Sequence, residues 1–338
     1  MKRNKTSKIF AFILFIVLIA AYFMPLPYYV SKPGKAMELE PVIKVEDGYD
    51  AEGSFMLTTV RMGKANVITY AAAKVMDHWN IYPEADIRGE EETDEEYEMR
   101  QLYMMEGSKE KAIINAFRAS GKPYDITYKG IYVYNVMDGM PASAVLEAGD
   151  RVIAVDGKRI ESSDQFTGYI SGRQKGSSVE LKFVRDGKEL TETIEIQVLP
   201  ETGKPGIGIT LTDDIEVDSD PKVEIDSESI GGPSAGLMFS LEVYNQLEPE
   251  DLTGGRAIAG TGTIDEKGNV GPIGGIDQKV VAAHKSGADV FFAPNENGES
   301  NSNYAIAKKT AEEIGTEMDI VPVDTFEDAI EYLENLSA

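Results

Sequence analysis

From Ile9 to Ser31 the chain carries no charged residue, and its Ile9–Met24 stretch is apolar throughout. About 22 residues rising ~1.5 Å each reach roughly 33 Å, enough to cross the hydrocarbon core of a bilayer as a helix. Lys2, Arg3, Lys5 and Lys8 precede the run, the first 30 residues hold no acid, and the whole chain has a net charge of −25. This asymmetry predicts a short cytoplasmic tail (1–8), a transmembrane anchor (9–30) and everything after it outside the cell membrane. A cleaved signal peptide shares the basic start and apolar core. Here the run is long, and Met24-Pro25-Leu26-Pro27 follows it without a small-x-small cleavage site.

The remaining length is ample for two or three domains, and 42% hydrophobic against 27% charged residues excludes wholesale disorder. Zero cysteine removes disulfides, Cys-ligated zinc, iron–sulfur clusters and thiol nucleophiles together. His78 and His284 are the only histidines, which excludes a histidine-rich metal site. Asp213-Asp214 and Asp218-x-Asp220 lack the ordered ligand loop of an EF-hand, so no metal and no cofactor is expected. A chain this acidic repels phosphate backbones, so nucleic acid is not an expected partner.

Beyond the anchor, Val42–Val45 and Phe55–Val60 read as strands around a Gly/Asp turn. Residues 84–98 hold nine acids and one Arg, a solvated face within which Thr93-Asp94-Glu95-Glu96 reads as a capping box. A second helix is expected to start at Ser108 and stop at Gly121. Residues 125–198 alternate strand and turn signals: Ile131–Val136, the tight Asp156-Gly157 turn, and Val179–Arg185 and Glu192–Val198 around the Asp186-Gly187 hairpin. The run Leu146-Glu147-Ala148-Gly149-Asp150-Arg151-Val152-Ile153-Ala154-Val155-Asp156-Gly157 resembles the L-x-x-G-D-x-I-x-x-V-D-G segment of bacterial protease-associated PDZ domains. The resemblance implies a β-rich peptide-binding module. Its expected binding loop and strand are Gly130, Ile131 and Tyr132, after Lys129.

The most informative segment is Ile230-Gly231-Gly232-Pro233-Ser234-Ala235-Gly236. The strand-like Val223–Ile225 precedes it, and an apolar helical run, Leu237–Leu247, follows. Pro233 suits a helix start, which predicts Ser234 in the first helical turn, where backbone N–H groups can receive a developing oxyanion. Serine needs a base. One candidate is Lys279, in Gly271-Pro272-Ile273-Gly274-Gly275-Ile276-Asp277-Gln278-Lys279. It falls in the first turn of another helix, where the dipole and apolar neighbours should lower its pKa. The other is His284, the only histidine after Ser234, because Gly232-x-Ser234-x-Gly236 also matches the nucleophile-elbow pattern.

Gly232-Pro233-Ser234-Ala235-Gly236, Thr261-Gly262 and Pro272-Ile273-Gly274-Gly275-x-x-x-Lys279 resemble, in order and spacing, the proteolytic domain of Lon proteases. The resemblance implies Ser234 as nucleophile and Lys279 as general base. Thr261 would hold the lysine amine, with Gly232, Pro233 and Ala235 in support. It departs at Gly231, where Lon often has an acid. Met104-Met105-Glu106-x-Ser108-x-x-x-Ala112 and Gly53–Val60 resemble a Lon helix and an early Lon strand. These place residues 31–120 and 201–338 in the Lon-type domain, with a PDZ module (121–200) inserted, an α+β fold overall.

With the anchor, the chain is similar to the membrane-anchored PDZ–Lon proteases of Gram-positive bacteria. That similarity implies peptide or protein substrates, secreted signalling peptides among the candidates, and a Lon domain able to form homo-oligomers. No G-x-x-x-x-G-K-[ST] motif occurs, so proteolysis would be ATP-independent. Two other readings stay open, a catalytically silent PDZ scaffold and an esterase built on Ser234 and His284.

Overall fold

The computed structural model describes residues 8–13, 15–16, 22–89, 92–200, 202–227 and 230–337. Its main sheet has six strands in the order Asp319–Val323, Val290–Pro294, Ala257–Gly260, Ser54–Asn66, Pro25–Glu38 and Asn80–Pro83. The first four run parallel, and the last two add antiparallel. The parallel part alternates strand and helix from Ala257 to Val323, with Ile276–Lys285 and Asn303–Ile314 as the crossovers. The expected combination of helices and sheets takes the form of a mixed α/β fold.

The sheet joins distant parts of the chain. Ser54–Asn66 pairs with Ala257–Gly260, with Phe55 opposite Ile258 and Leu57 opposite Gly260. One apolar core beneath it gathers Leu39, Phe55 and Phe117 with Phe239, Phe292 and Phe326. A two-stranded ribbon, Ile43–Val45 with Val223–Ile225, repeats the union of early and late sequence. It delivers the chain to the Ser234 loop.

Between these parts stands a second sheet, in the order Ile209–Ser219, Tyr124–Val136, Arg151–Val155, Ser178–Arg185 and Lys188–Glu195, with Lys158–Arg159 attached. It has its own core of Ile131, Val152, Phe166, Leu181 and Phe183. Its first and last residues are partners, Tyr124 opposite Ser219. The expected boundary at 200/201 therefore falls short, because Ile209–Ser219 completes this second sheet.

Two expectations about helices change. Asp94–Ser120 is a single 27-residue helix, capped by the Thr93/Glu96 capping box and ended by left-handed Gly121. Both end signals were sound. Ser108 starts nothing, because its side chain is used in tertiary contact instead of capping. The anchor expected over 9–30 also changes: Pro25–Val30 already belongs to a strand of the main sheet. Residues 8–13, 15–16 and 22–23 are helical, while residues 14 and 17–21 of the expected span lie outside the described residues. Among the described residues no helix is long and apolar enough to cross a membrane.

Candidate active site

Ser234 sits on a tight loop whose shape is set by its two preceding glycines and by the long helix Asp94–Ser120. Gly232 has φ 89°, a left-handed conformation that side chains rarely adopt, and its N–H donates to the Gln101 carbonyl at 2.8 Å. A Cβ on Gly231 would stand 2.7 Å from Cβ of Gln101, so the long helix leaves no room for a carboxylate at that position. The Ser108 hydroxyl donates to the Pro233 carbonyl at 3.1 Å. Gln101 and Ser108, which share one face of the helix two turns apart, thus clamp the loop.

The helix after the serine is Gly236–Leu247, with Ala235 as its N-cap. Ser234 therefore lies just before the helix and not in its first turn, and Pro233 shapes the loop and does not open the helix. Ala235 has no side-chain acceptor for the first helical N–H groups. The Ser234 carbonyl is tied down from the other side. It accepts from the Gly262 N–H at 3.0 Å and from the Thr261 hydroxyl at 2.9 Å.

Lys279 is the fourth residue of Ile276–Lys285, which begins after left-handed Gly275. Its Nζ lies 2.7 Å from Oγ of Ser234 and 2.8 Å from Oγ1 of Thr261. Lys279 is 3% exposed and Thr261 1% exposed. Thr261 spends its one proton on the Ser234 carbonyl and so acts toward the lysine as an acceptor. Both polar partners of Nζ are hydroxyls, so nothing negatively charged compensates an ammonium there. Burial alone pushes the amine down to about 7 from its usual value near 10.5. At neutral pH much of it is the free base.

His284 does not compete. It is exposed at the far end of the same helix, with Nδ1 2.9 Å from the Thr316 hydroxyl. Beside the serine loop a cavity of about 300 Å³ is lined by Met104, Ser108, Pro233, Ile264 and Val270, with Lys111 and Asp265 among its polar groups.

The expected peptide-binding residues are placed differently. Gly130, Ile131 and Tyr132 lie in the interior of the second sheet. They are opposite Asp214, Asp213 and Thr212 on one side, and Ile131 and Tyr132 face Val152 and Arg151 on the other. A strand hydrogen-bonded along both edges has no place for a peptide. Tyr132 instead stacks on Tyr103 of the long helix, ring centroids 3.3 Å apart. The edge strands are Ile209–Ser219, beside Gly130–Tyr132, and Lys188–Glu195 at the opposite side. The first has its far half covered by the long helix, where Glu110 accepts the Val217 N–H at 2.8 Å. Its near half, after Gly206-Ile207-Gly208, faces the helix Ser163–Ser171, whose Ser163 N–H donates to the Asp213 carboxylate. Sequence reasoning passed over this edge strand. The signal available was the glycine pair at the start of an alternating run.

With this geometry in view, comparisons with known proteins are informative. Residues 104–196 match the family model of the PDZ domain, and residues 223–335 match that of the Lon protease (S16) C-terminal proteolytic domain. The chain carries a PDZ domain and a Lon-type proteolytic domain. Among curated relatives, Lon protease from Campylobacter jejuni is 34% identical over 125 residues, covering 33% of this chain and 15% of that protein. Lon protease from Mycoplasma mobile is 33% identical over 102 residues, covering 30% of this chain and 11% of that one. The chain thus spans under a fifth of either relative's length. Among solved structures, the PDZ domain of an SdrC-like protein from Listeria monocytogenes is 38% identical over 26% of this chain and 92% of that one, with a TM-score of 0.25. The Lon-type match and the Lon relatives support a serine peptidase, a hydrolase.

Proposed function

We propose that the chain is a membrane-anchored, ATP-independent serine endopeptidase working through a Ser234–Lys279 dyad on peptides or flexible segments outside the membrane. The observation that carries this reading is a buried lysine amine, shifted to about 7, held 2.7 Å from the Ser234 hydroxyl. Neutral Lys279 takes the proton as Ser234 Oγ attacks the scissile carbonyl, and the carbonyl pair moves onto oxygen. Collapse of that intermediate breaks the C–N bond, and the lysine returns the proton to the leaving amine. Water, deprotonated by the same amine, then releases the acyl group and regenerates the serine. Backbone N–H groups about Ser234 and the helix start are suited to the oxyanion.

The PDZ module is read as an insertion in the Lon-type domain that recruits extended peptides along Ile209–Thr212. Without a motor motif, substrates must already be unfolded at the site. The experiment compares the full chain with Ser234→Ala in vesicles against a library of cell-surface and secreted peptides, read by mass spectrometry. New termini are expected with the wild type alone. Identical peptide maps would favour the scaffold reading. Retained cleavage after His284→Ala is also expected, and its loss would favour the esterase chemistry.

A further inference from the structure

The chain has a net charge of −25, yet residues 25–37 and 61–76 contain Lys32, Lys35, Arg61, Lys64 and Lys74 and no acid, with Lys64 paired to Glu84 at 2.9 Å and exposed Asp77 following Met76. These two segments are the arms of one antiparallel pair, with Lys32 opposite Arg61, Val30 opposite Gly63 and Pro25 opposite Asn66. The helix Val67–Ala73 continues directly from the second arm. It therefore stands beside Pro25, where the apolar run Ile9–Met24 joins the sheet.

One side of this corner is fastened to the protein and the other is bare. Ala73 is buried with Val30 and Ala65, and Tyr28, Tyr70 and Trp79 pack around them. Lys32 lies 4.8 Å from the Trp79 ring and Lys74 5.4 Å from that of Tyr70, placing cations at an aromatic shoulder. Facing outward are Val75 at 80% exposed, Met76 at 52% and Ile68 at 42%, with Met62 and Val67 at 38% each. Apolar side chains clustered in this way call for a partner. A second copy of the same corner would bring like charges together across a two-fold axis. Anionic headgroups over a hydrocarbon edge match both the apolar tip and the basic ring.

We propose that this corner, centred on Ile68, Val75 and Met76, is a foot that lies in the surface of an anionic phospholipid membrane. The inference rests on the membrane-anchored reading above and adds an orientation to it. The foot's strands also brace the lysine helix, since Gln278 Nε2 donates to the Ser31 hydroxyl at 2.8 Å. The catalytic pair is thereby held on the membrane-proximal part of the molecule, where freshly exported peptides arrive.

The absence of cysteine makes single labelling unambiguous. Full-length Val75→Cys, Ile68→Cys and, as a distant control, Leu190→Cys are each labelled with an environment-sensitive fluorophore. They are then placed in vesicles of phosphatidylcholine with phosphatidylglycerol. Lipid-borne quenchers near the headgroup are expected to remove about half or more of the emission at 75 and 68 and none at 190. Lys32→Glu with Lys74→Glu should reverse most of that loss. A chain that floats with the vesicles but keeps its emission at 75 overturns the foot and leaves the anchor standing. Emission that shifts with protein density and ignores lipid quenchers assigns the corner to a second copy and overturns the proposal. A chain that does not float overturns anchor and foot together.

Discussion

Lys279 is costly to the fold, and the proposed chemistry requires it. Its amine is lowered to about 7 in the folded protein against about 10.5 when free, so between those values the unfolded chain binds more protons than the folded one. Stability from this residue therefore rises with pH through that window, and the full penalty applies below pH 7. Lys279→Met removes the charge while nearly preserving volume. Peptide cleavage should be lost, and the melting temperature should rise by a few degrees at pH 6, with the gain shrinking toward pH 10. Lys279→Arg should be equally inactive, because guanidinium stays charged. In the wild type kcat/KM should climb with a midpoint near 7, the value burial sets for Lys279. A flat profile across pH 6–8, or turnover by Lys279→Met, would remove the lysine as base. The pairing of Ser234 with Lys279 was legible in the sequence because each residue has a local signature, glycines that open a tight turn followed by a helix. What spacing could not state was the direction of Thr261, whose hydroxyl donates to the Ser234 carbonyl and so must accept from the lysine.

At the scale of elements, the long helix Asp94–Ser120 does the positioning. Local signals read well at its ends, because a capping box and a left-handed glycine act within one turn. They misread its middle, since Ser108 resembles a cap but bonds the Pro233 carbonyl 125 positions away. The same limit explains the misplaced peptide strand. Gly130–Tyr132 was expected from the resemblance to PDZ domains, but Ile209–Ser219 pairs along it from beyond the expected boundary, and only long-range register reveals which strand is outermost. Ser108→Ala should keep the helix, since alanine favours it, while releasing the loop that carries Ser234. A lost hydrogen bond of about 0.5–1.5 kcal/mol implies roughly a two- to tenfold fall in kcat with KM little changed. Ser108→Thr should restore part of it. Unaltered kcat in Ser108→Ala would mean that the Gln101, Thr261 and Gly262 contacts suffice to hold the loop. The same helix meets the second sheet through Tyr103 on Tyr132 and Glu110 on Val217, so the serine loop and the strand Ile209–Ser219 share one support.

For the whole molecule the order of the chain and the order of the sheet disagree, and that disagreement has a measurable consequence. Ala257–Gly260 lies between Val290–Pro294, which follows it closely, and Ser54–Asn66, which precedes it by the entire second sheet. A fragment of residues 205–338 contains Ser234, Thr261 and Lys279 and all of the residues 223–335 that match the Lon-type family. It lacks the strand that covers one edge of Ala257–Gly260, and it lacks Leu39, Ile43, Phe55, Leu57 and Phe117 from the shared core. Each such side chain contributes about 1.5–3 kcal/mol on burial, and net stability is only about 5–15 kcal/mol, so the loss exceeds what a domain can absorb. The fragment should give no cooperative melt by circular dichroism and no peptide cleavage. The complementary cut should behave differently. Tyr124 and Ser219 are register partners, so a short turn replacing residues 125–218 closes the gap they leave. That variant should melt cooperatively and cleave short peptides near the wild-type rate, while long substrates that need recruitment are cleaved poorly. If the fragment 205–338 folded and the excised chain did not, the sheet would not be interleaved in the way these strand pairings require.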